Sequence, residues 1–120
     1  MKRTILALAG TVFAMAGHVA AAADLQAGRA AYERLNCASC HGADAKTSID
    51  PSYPVLAGQY ADYLRVAMRS YQRGQAGAPA SSNVRTNPIM GAFAVQMSPE
   101  DIINISAWLE SLPSDLKTVK

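Results

Sequence analysis

Cys37-Ala38-Ser39-Cys40-His41 holds both cysteines of this 120-residue chain and one of its two histidines. Two thiols with two residues between them, followed directly by an imidazole, is the spacing at which a c-type haem is attached. Each thiol can form a thioether to a haem vinyl group, and the adjacent histidine then lies under the iron. The same residues could also form a redox disulfide. A thioredoxin-type pair should follow a strand in a βαβ unit, whereas the segment before Cys37 reads as helix. A plain disulfide is chemically open to an exported protein, but it leaves His41 without a role. Haem attachment uses all three residues.

The elements that position this motif begin after a leader. Lys2 and Arg3 form a positive start, Ile5 to Ala16 an apolar stretch, and Ala20-Ala21-Ala22-Ala23 a small-residue cleavage site before Asp24. The apolar run is short for a membrane span, which takes about 20 apolar residues, and Gly10, Gly17 and His18 dilute it. The expectation is a cleaved signal peptide over 1–23, export to the periplasm, and one small domain over 24–120 with no membrane span left. The absence of a cysteine near the cleavage region argues against a lipid-modified N-terminus.

Cleavage changes the balance of charge. The formal +2 of the whole chain comes from Lys2 and Arg3, because the remaining basic residues equal the 9 acidic ones. Nothing in a neutral domain points to nucleic acid or an anionic membrane surface as partner. His18 also leaves, so His41 becomes the only histidine. A structural zinc needs four N or S ligands, or three with water in a catalytic site. Beyond Cys37, Cys40 and His41, a carboxylate would have to serve.

The domain reads as helices and loops with no convincing strand. Asp24 caps a helix running from Leu25 to about Leu35, with Leu25, Ala31, Tyr32 and Leu35 on or near one face. Gly28 within it costs about 1 kcal/mol relative to Ala, which suggests close approach of another element. Residues 42–54 are turn-rich. Tyr60, Leu64, Ala67, Met68 and Tyr71 give a second helix over about Gln59 to Arg73, followed by an aperiodic loop from Gly74 to Pro88. Ser98 as cap, Pro99 in the first helical position and Asp101 three residues after the cap mark the last helix. Ile102, Ile105, Trp108, Leu109 and Leu112 form its stripe, and Pro113 ends it. A domain this small is marginal at burying a core, so a bound haem would be part of the fold.

In this order the residues resemble the class I c-type cytochromes, particularly the short bacterial monohaem kind and the single-haem halves of bacterial dihaem cytochromes. The resemblance spans the domain: Gly28 and Tyr32 on the first helix, the Cys37–His41 motif, Pro54-Val55-Leu56-Ala57-Gly58 as a Pro-x-Leu-x-Gly segment, Asn87-Pro88-Ile89-Met90, and Trp108 on the last helix. It implies an all-α cytochrome c fold, with three main helices and irregular loops around one covalently bound haem c. It also implies that the carbonyl of Pro54 receives the ring N–H of His41, and that Gly28, Tyr32 and Trp108 form a helix crossing.

His41 is the expected proximal iron ligand, and the distal ligand is expected from methionine. Met68 falls in the middle helix's apolar stripe, where flexible Met fills gaps. Met97 directly precedes a helix cap and can staple onto Ile102 or Ile103. Met90 follows Pro88 in a loop, where the family's ligand sits, and is the favoured candidate. His/Met ligation raises the potential and fills both axial positions. Arg65, Arg69 and Arg73 recur every four residues and read first as a solvated face. Arg85, Gln59 and Asn87 are candidate donors to haem propionates or braces for the loop.

The expected function is that of an exported one-electron carrier between redox protein partners, with no catalytic residue and no small-molecule substrate. An alternative is the cytochrome subunit of a larger periplasmic oxidoreductase, passing on electrons from its catalytic subunit. A haem sensor or gas binder would need an open sixth position.

Overall fold

The computed structural model describes residues 22–116, so the expected leader lies outside the described residues except for its last two. Among the described residues there are five α-helices and no strand: α1 (Leu25–Arg34), α2 (Ala38–His41), α3 (Ala61–Gln75), α4 (Pro88–Ala94) and α5 (Pro99–Ser111). A single 3-10 turn spans Ala80–Ser82. The three long helices are those the periodicity predicts. The short α2 and α4 lie in stretches too brief for periodicity to register, and Met90 stands in α4 rather than in the expected loop. No described helix is long and apolar enough to cross a membrane.

The frame is the crossing of α1 and α5. Asp24 caps α1 by accepting from the backbone N–H of Gln26 and Ala27 at 2.9 and 3.0 Å, which satisfies two of the orphan donors at a helix start. Its own N–H donates to Asn104 Oδ1 on α5 at 2.9 Å. Gly28 lets the two backbones meet: a Cβ there would overlap the Asn104 carbonyl and lie 2.9 Å from Trp108 Cβ. The Tyr32 and Trp108 rings pack beside this contact, centroids 4.9 Å apart and tilted by 54°. Ser98 and Asp101 form the reciprocal capping box of α5, and Met97 and Ile102 are both buried on the side the staple requires.

α3 packs against both α4 and α5. Leu64 and Met68 from α3 join Tyr32, Leu35, Met97, Ile102, Ile105 and Leu109 in one apolar cluster. The 42–58 segment is irregular but tied down. Leu56 and Ala57 donate to the Ala45 carbonyl at 2.9 and 3.0 Å, and Gly58 donates to Leu109 of α5 at 2.8 Å. This segment therefore closes one side of the core without regular structure.

Candidate cofactor site

α1 delivers the cysteine motif through its C-terminus. Asn36 is left-handed at φ +56°, and the N–H groups of Asn36 and Cys37 return to the carbonyls of Glu33 and Tyr32 at 3.0 and 3.1 Å. This is a Schellman ending with Asn in place of Gly. The chain restarts at once as α2, with Cys37 already helical as its N-cap. Cys37, Cys40 and His41 then stand at helical positions i, i+3 and i+4, on one face.

Both thiols are unpaired and half-buried. Burial pushes the Cys37 thiol up to about 11, with the neighbouring Cys40 adding to the rise. A reactive or metal-binding cysteine wants the opposite shift, so this site keeps a neutral thiol, as a residue destined for a thioether can be. Among the described residues, no three His, Cys, Asp or Glu side chains converge to hold a bare ion.

His41 is buried, with 5% of its surface exposed. Its Nδ1 lies 3.1 Å from the Pro54 carbonyl oxygen. A carbonyl can only accept, so Nδ1 carries a proton, and in the neutral ring Nε2 is the nitrogen left to bind a metal. The Tyr53 ring stands edge-on at 6.0 Å. On the other side of the motif, the Tyr32 hydroxyl donates to the Gly42 carbonyl at 2.8 Å, and burial pushes its pKa far above the ordinary phenol value.

These groups open onto a cavity of about 480 Å³. Cys37, Cys40 and His41 line one part of it, Pro54 and Leu56 another, and α3, α4 and α5 contribute Leu64, Phe93, Ile105 and Leu109. A mostly apolar cleft of this size suits a large flat ligand. Two unpaired cysteines and an oriented imidazole at its wall fit a haem tethered by thioethers.

All three methionines of the described residues line the cavity. Met68 and Met97 belong to the buried apolar cluster at 7% and 5% exposure, whereas Met90 is half-buried and outside it. Met90 sits in the first turn of α4, where Asn87 Oδ1 accepts from its N–H at 2.9 Å and from Ile89 N–H at 3.0 Å. Pro88 occupies the first helical position, so the start of α4 is fixed by sequence.

The polar candidates separate. Arg85 lines the cavity, donates to the Tyr63 hydroxyl at 3.0 Å, and lies over the Tyr63 and Tyr71 rings at 5.3 and 5.6 Å. Asn87 is the α4 cap, and Gln59 Oε1 accepts from the Tyr60 backbone at 2.9 Å. The arginine row is not one uniform solvated face. Arg65 pairs with Asp62, Arg69 is exposed, and Arg73 donates to Ser70 Oγ and the Asn83 carbonyl at 3.0 and 2.8 Å. Sequence reasoning passed over Gln72, whose side chain donates to two carbonyls beyond Met90. Its signal was a polar residue four positions after Met68 on the buried face of α3, where a polar group needs partners.

The family model described as cytochrome c matches residues 25–113. The chain is 34% identical over 118 residues to a thiosulfate dehydrogenase electron acceptor from Stutzerimonas stutzeri, covering 95% of this chain and 50% of that relative. It is 35% identical over 75 residues to cytochrome c-554(548) from Halomonas halodenitrificans, covering 62% of this chain and 82% of the relative. A cytochrome c4 from Azotobacter vinelandii is 30% identical over 76 residues, covering 63% of this chain and 34% of the relative. Among solved structures, thiosulfate dehydrogenase (TsdBA) from Marichromatium purpuratum matches with a TM-score of 0.60 at 27% identity, over 78% of this chain and 21% of that one. The chain thus spans about half the length of its Stutzerimonas relative and a third of the cytochrome c4. With its helical fold and the Cys37–His41 spacing, the chain belongs to the cytochrome c family, electron carriers built around covalently attached haem c.

Proposed function

We propose that this chain works in the periplasm as a one-electron carrier. Cys37 and Cys40 would hold a single haem c, His41 and Met90 would ligate its iron, and Pro54 would orient the His41 ring. The observation that carries the reading is the buried His41, with Nδ1 on the Pro54 carbonyl, in a cavity that Cys37, Cys40 and Met90 share.

Haem c, when bound, supplies a one-electron iron couple. The remaining requirements fall on the polypeptide. The Pro54 carbonyl fixes the His41 tautomer and increases the basicity of Nε2. The α4 start presents a thioether, and His/Met ligation favours a raised potential. Leu64, Ile105 and Leu109 are buried and give the cavity an apolar wall, which disfavours the extra positive charge of the oxidised state. Two protein ligands leave no open position for a substrate, so the reading assigns no catalytic residue. Export rests on the leader over 1–23. Partners are redox proteins, met through small and weak interfaces.

The test is the optical spectrum of the oxidised protein with and without Met90→Ala. Loss of the sulfur-to-iron charge-transfer band is expected; its persistence would reject Met90 as ligand. A second reading is favoured by the Stutzerimonas relative, named an electron acceptor of thiosulfate dehydrogenase. In it, this chain takes electrons from such a dehydrogenase. Mixing the oxidised protein with a thiosulfate dehydrogenase and thiosulfate should then reduce it within seconds, and failure to reduce it would sink that assignment.

A further inference from the structure

α4 cannot stand alone. Its seven residues fall below the length at which isolated helices persist, and its four C-terminal carbonyls lack partners within the helix. Its N-terminal end is capped by Asn87. The residues that follow it close its last turn, Met97 N–H donating to the Ala94 carbonyl at 3.1 Å, and its C-terminal end is held as well from another helix. Gln72 Nε2 donates one N–H to the Ala94 carbonyl at 2.8 Å and the other to the Met97 carbonyl at 2.9 Å. The amide thus spans the turn between α4 and α5. Beside it, Gly91 brings α4 against α3, since a Cβ there would lie 2.5 Å from Gln75 Oε1. Arg85 N–H donates to the Ser70 carbonyl at 3.0 Å, tying the incoming strap to the same stretch of α3.

We infer that Gln72 is the positioning residue for the distal iron ligand: its two-pronged bond to Ala94 and Met97 holds α4 against α3 and so holds the Met90 sulfur at the iron. The inference rests on the Met90 reading. Gln72 is not itself a ligand. Its role is to set how readily α4 swings away and gives up the sixth position. Without its two donors, the Met97 carbonyl loses the Gln72 bond and the Ala94 carbonyl keeps only the Met97 N–H at 3.1 Å in the closed arrangement; both can be hydrated in the open one, which favours opening.

The test uses the haem-loaded full chain and imidazole as the competing ligand of oxidised iron. Gln72→Met keeps the length and removes both donors, whereas Gln72→Arg restores a donor fork. Gln72→Met should bind imidazole roughly tenfold or more tightly than the parent, with a weaker charge-transfer band and a lower reduction potential. Gln72→Arg should return all three toward the parent values. If Gln72→Met lowers the melting temperature but leaves imidazole affinity, band and potential unchanged, Gln72 is structural only and the inference fails. Should that variant not load haem, Gln72→Asn, too short to reach both carbonyls, takes its place with the same criteria. In a Met90→Ala background, Gln72→Met should add nothing to imidazole affinity, because the contact it controls is gone; a full additive gain there overturns the inference. Met90→Ala alone distinguishes the two readings: an unchanged band rejects Met90, whereas an unaffected Gln72→Met rejects the brace.

Discussion

His41 and Pro54 meet through one hydrogen bond, Nδ1 to carbonyl oxygen at 3.1 Å, and that bond fixes which nitrogen of the ring is free. The partner is a backbone carbonyl, so no side-chain deletion removes it outright. Pro54→Ala acts through the backbone by releasing a fixed φ. A looser bond makes Nε2 a weaker base and stabilises oxidised iron less. The expected result is a small rise in reduction potential, under the 59 mV that marks a tenfold change for one electron. Redox titration of the variant checks it, and a fall would contradict the role given to Pro54.

Gly28 faces the Asn104 carbonyl with no room for a methyl group. The obstruction is backbone on α5, so it cannot rotate away, and Gly28→Ala must move two helices apart. Overpacking of this kind costs about 1–3 kcal/mol, which outweighs the roughly 1 kcal/mol that Ala gains in helix propensity. Thermal unfolding should show a clear loss of stability, while the charge-transfer band survives. An unchanged or raised melting temperature would mean that α1 and α5 do not cross this closely.

These two contacts differ in how visible they are in the sequence. Gly28 stands out because a helix interior resists glycine, and the Ser98 and Asp101 box is legible from spacing alone. His41 and Pro54 are 13 residues apart across an irregular segment, and only resemblance to a family joins them. α2 is four residues long and α4 seven, below any useful window for periodicity, so Met90 read as a loop residue. Gln72 was hidden for another reason. Hydrogen bonds from one amide to two carbonyls more than 20 residues away depend on tertiary placement, which no local pattern encodes.

Asp44 links the turn that follows the cysteine motif to pH. Its carboxylate accepts from the Thr47 N–H at 2.7 Å, the Lys46 N–H at 2.9 Å and the Thr47 hydroxyl at 2.7 Å. These bonds lower its pKa to about 2, the Thr47 backbone contributing most. A depressed carboxylate stabilises the folded state above its ordinary value of 3.8 and loses that effect as pH falls toward 2. The turn covers Ala45, which is fully buried. Urea midpoints should therefore drop between pH 4 and pH 2, and Asp44→Ala should flatten that part of the profile. Equal slopes in both proteins would show that the turn does not hold its carboxylate this way.

Removing the tether should cost the fold itself. The cavity of about 480 Å³ adjoins the buried cluster, with Leu64, Met68, Met97, Ile105 and Leu109 common to both. Left without haem, the apolar side chains that line this cleft lose their packing partner and face water, a loss that a small domain with a limited core is poorly able to absorb. Collapse onto the empty space or further flooding of it would each displace α3 relative to α5. Cys37→Ala with Cys40→Ala removes both attachment points and leaves His41 and the methionines intact. Purified without haem, this double variant should lose most of its helical circular dichroism at 25 °C, and added haem should restore it only in part. A fully helical, cooperatively unfolding chain without haem would show that the protein closes its core alone, and the cofactor would then be a passenger in the fold.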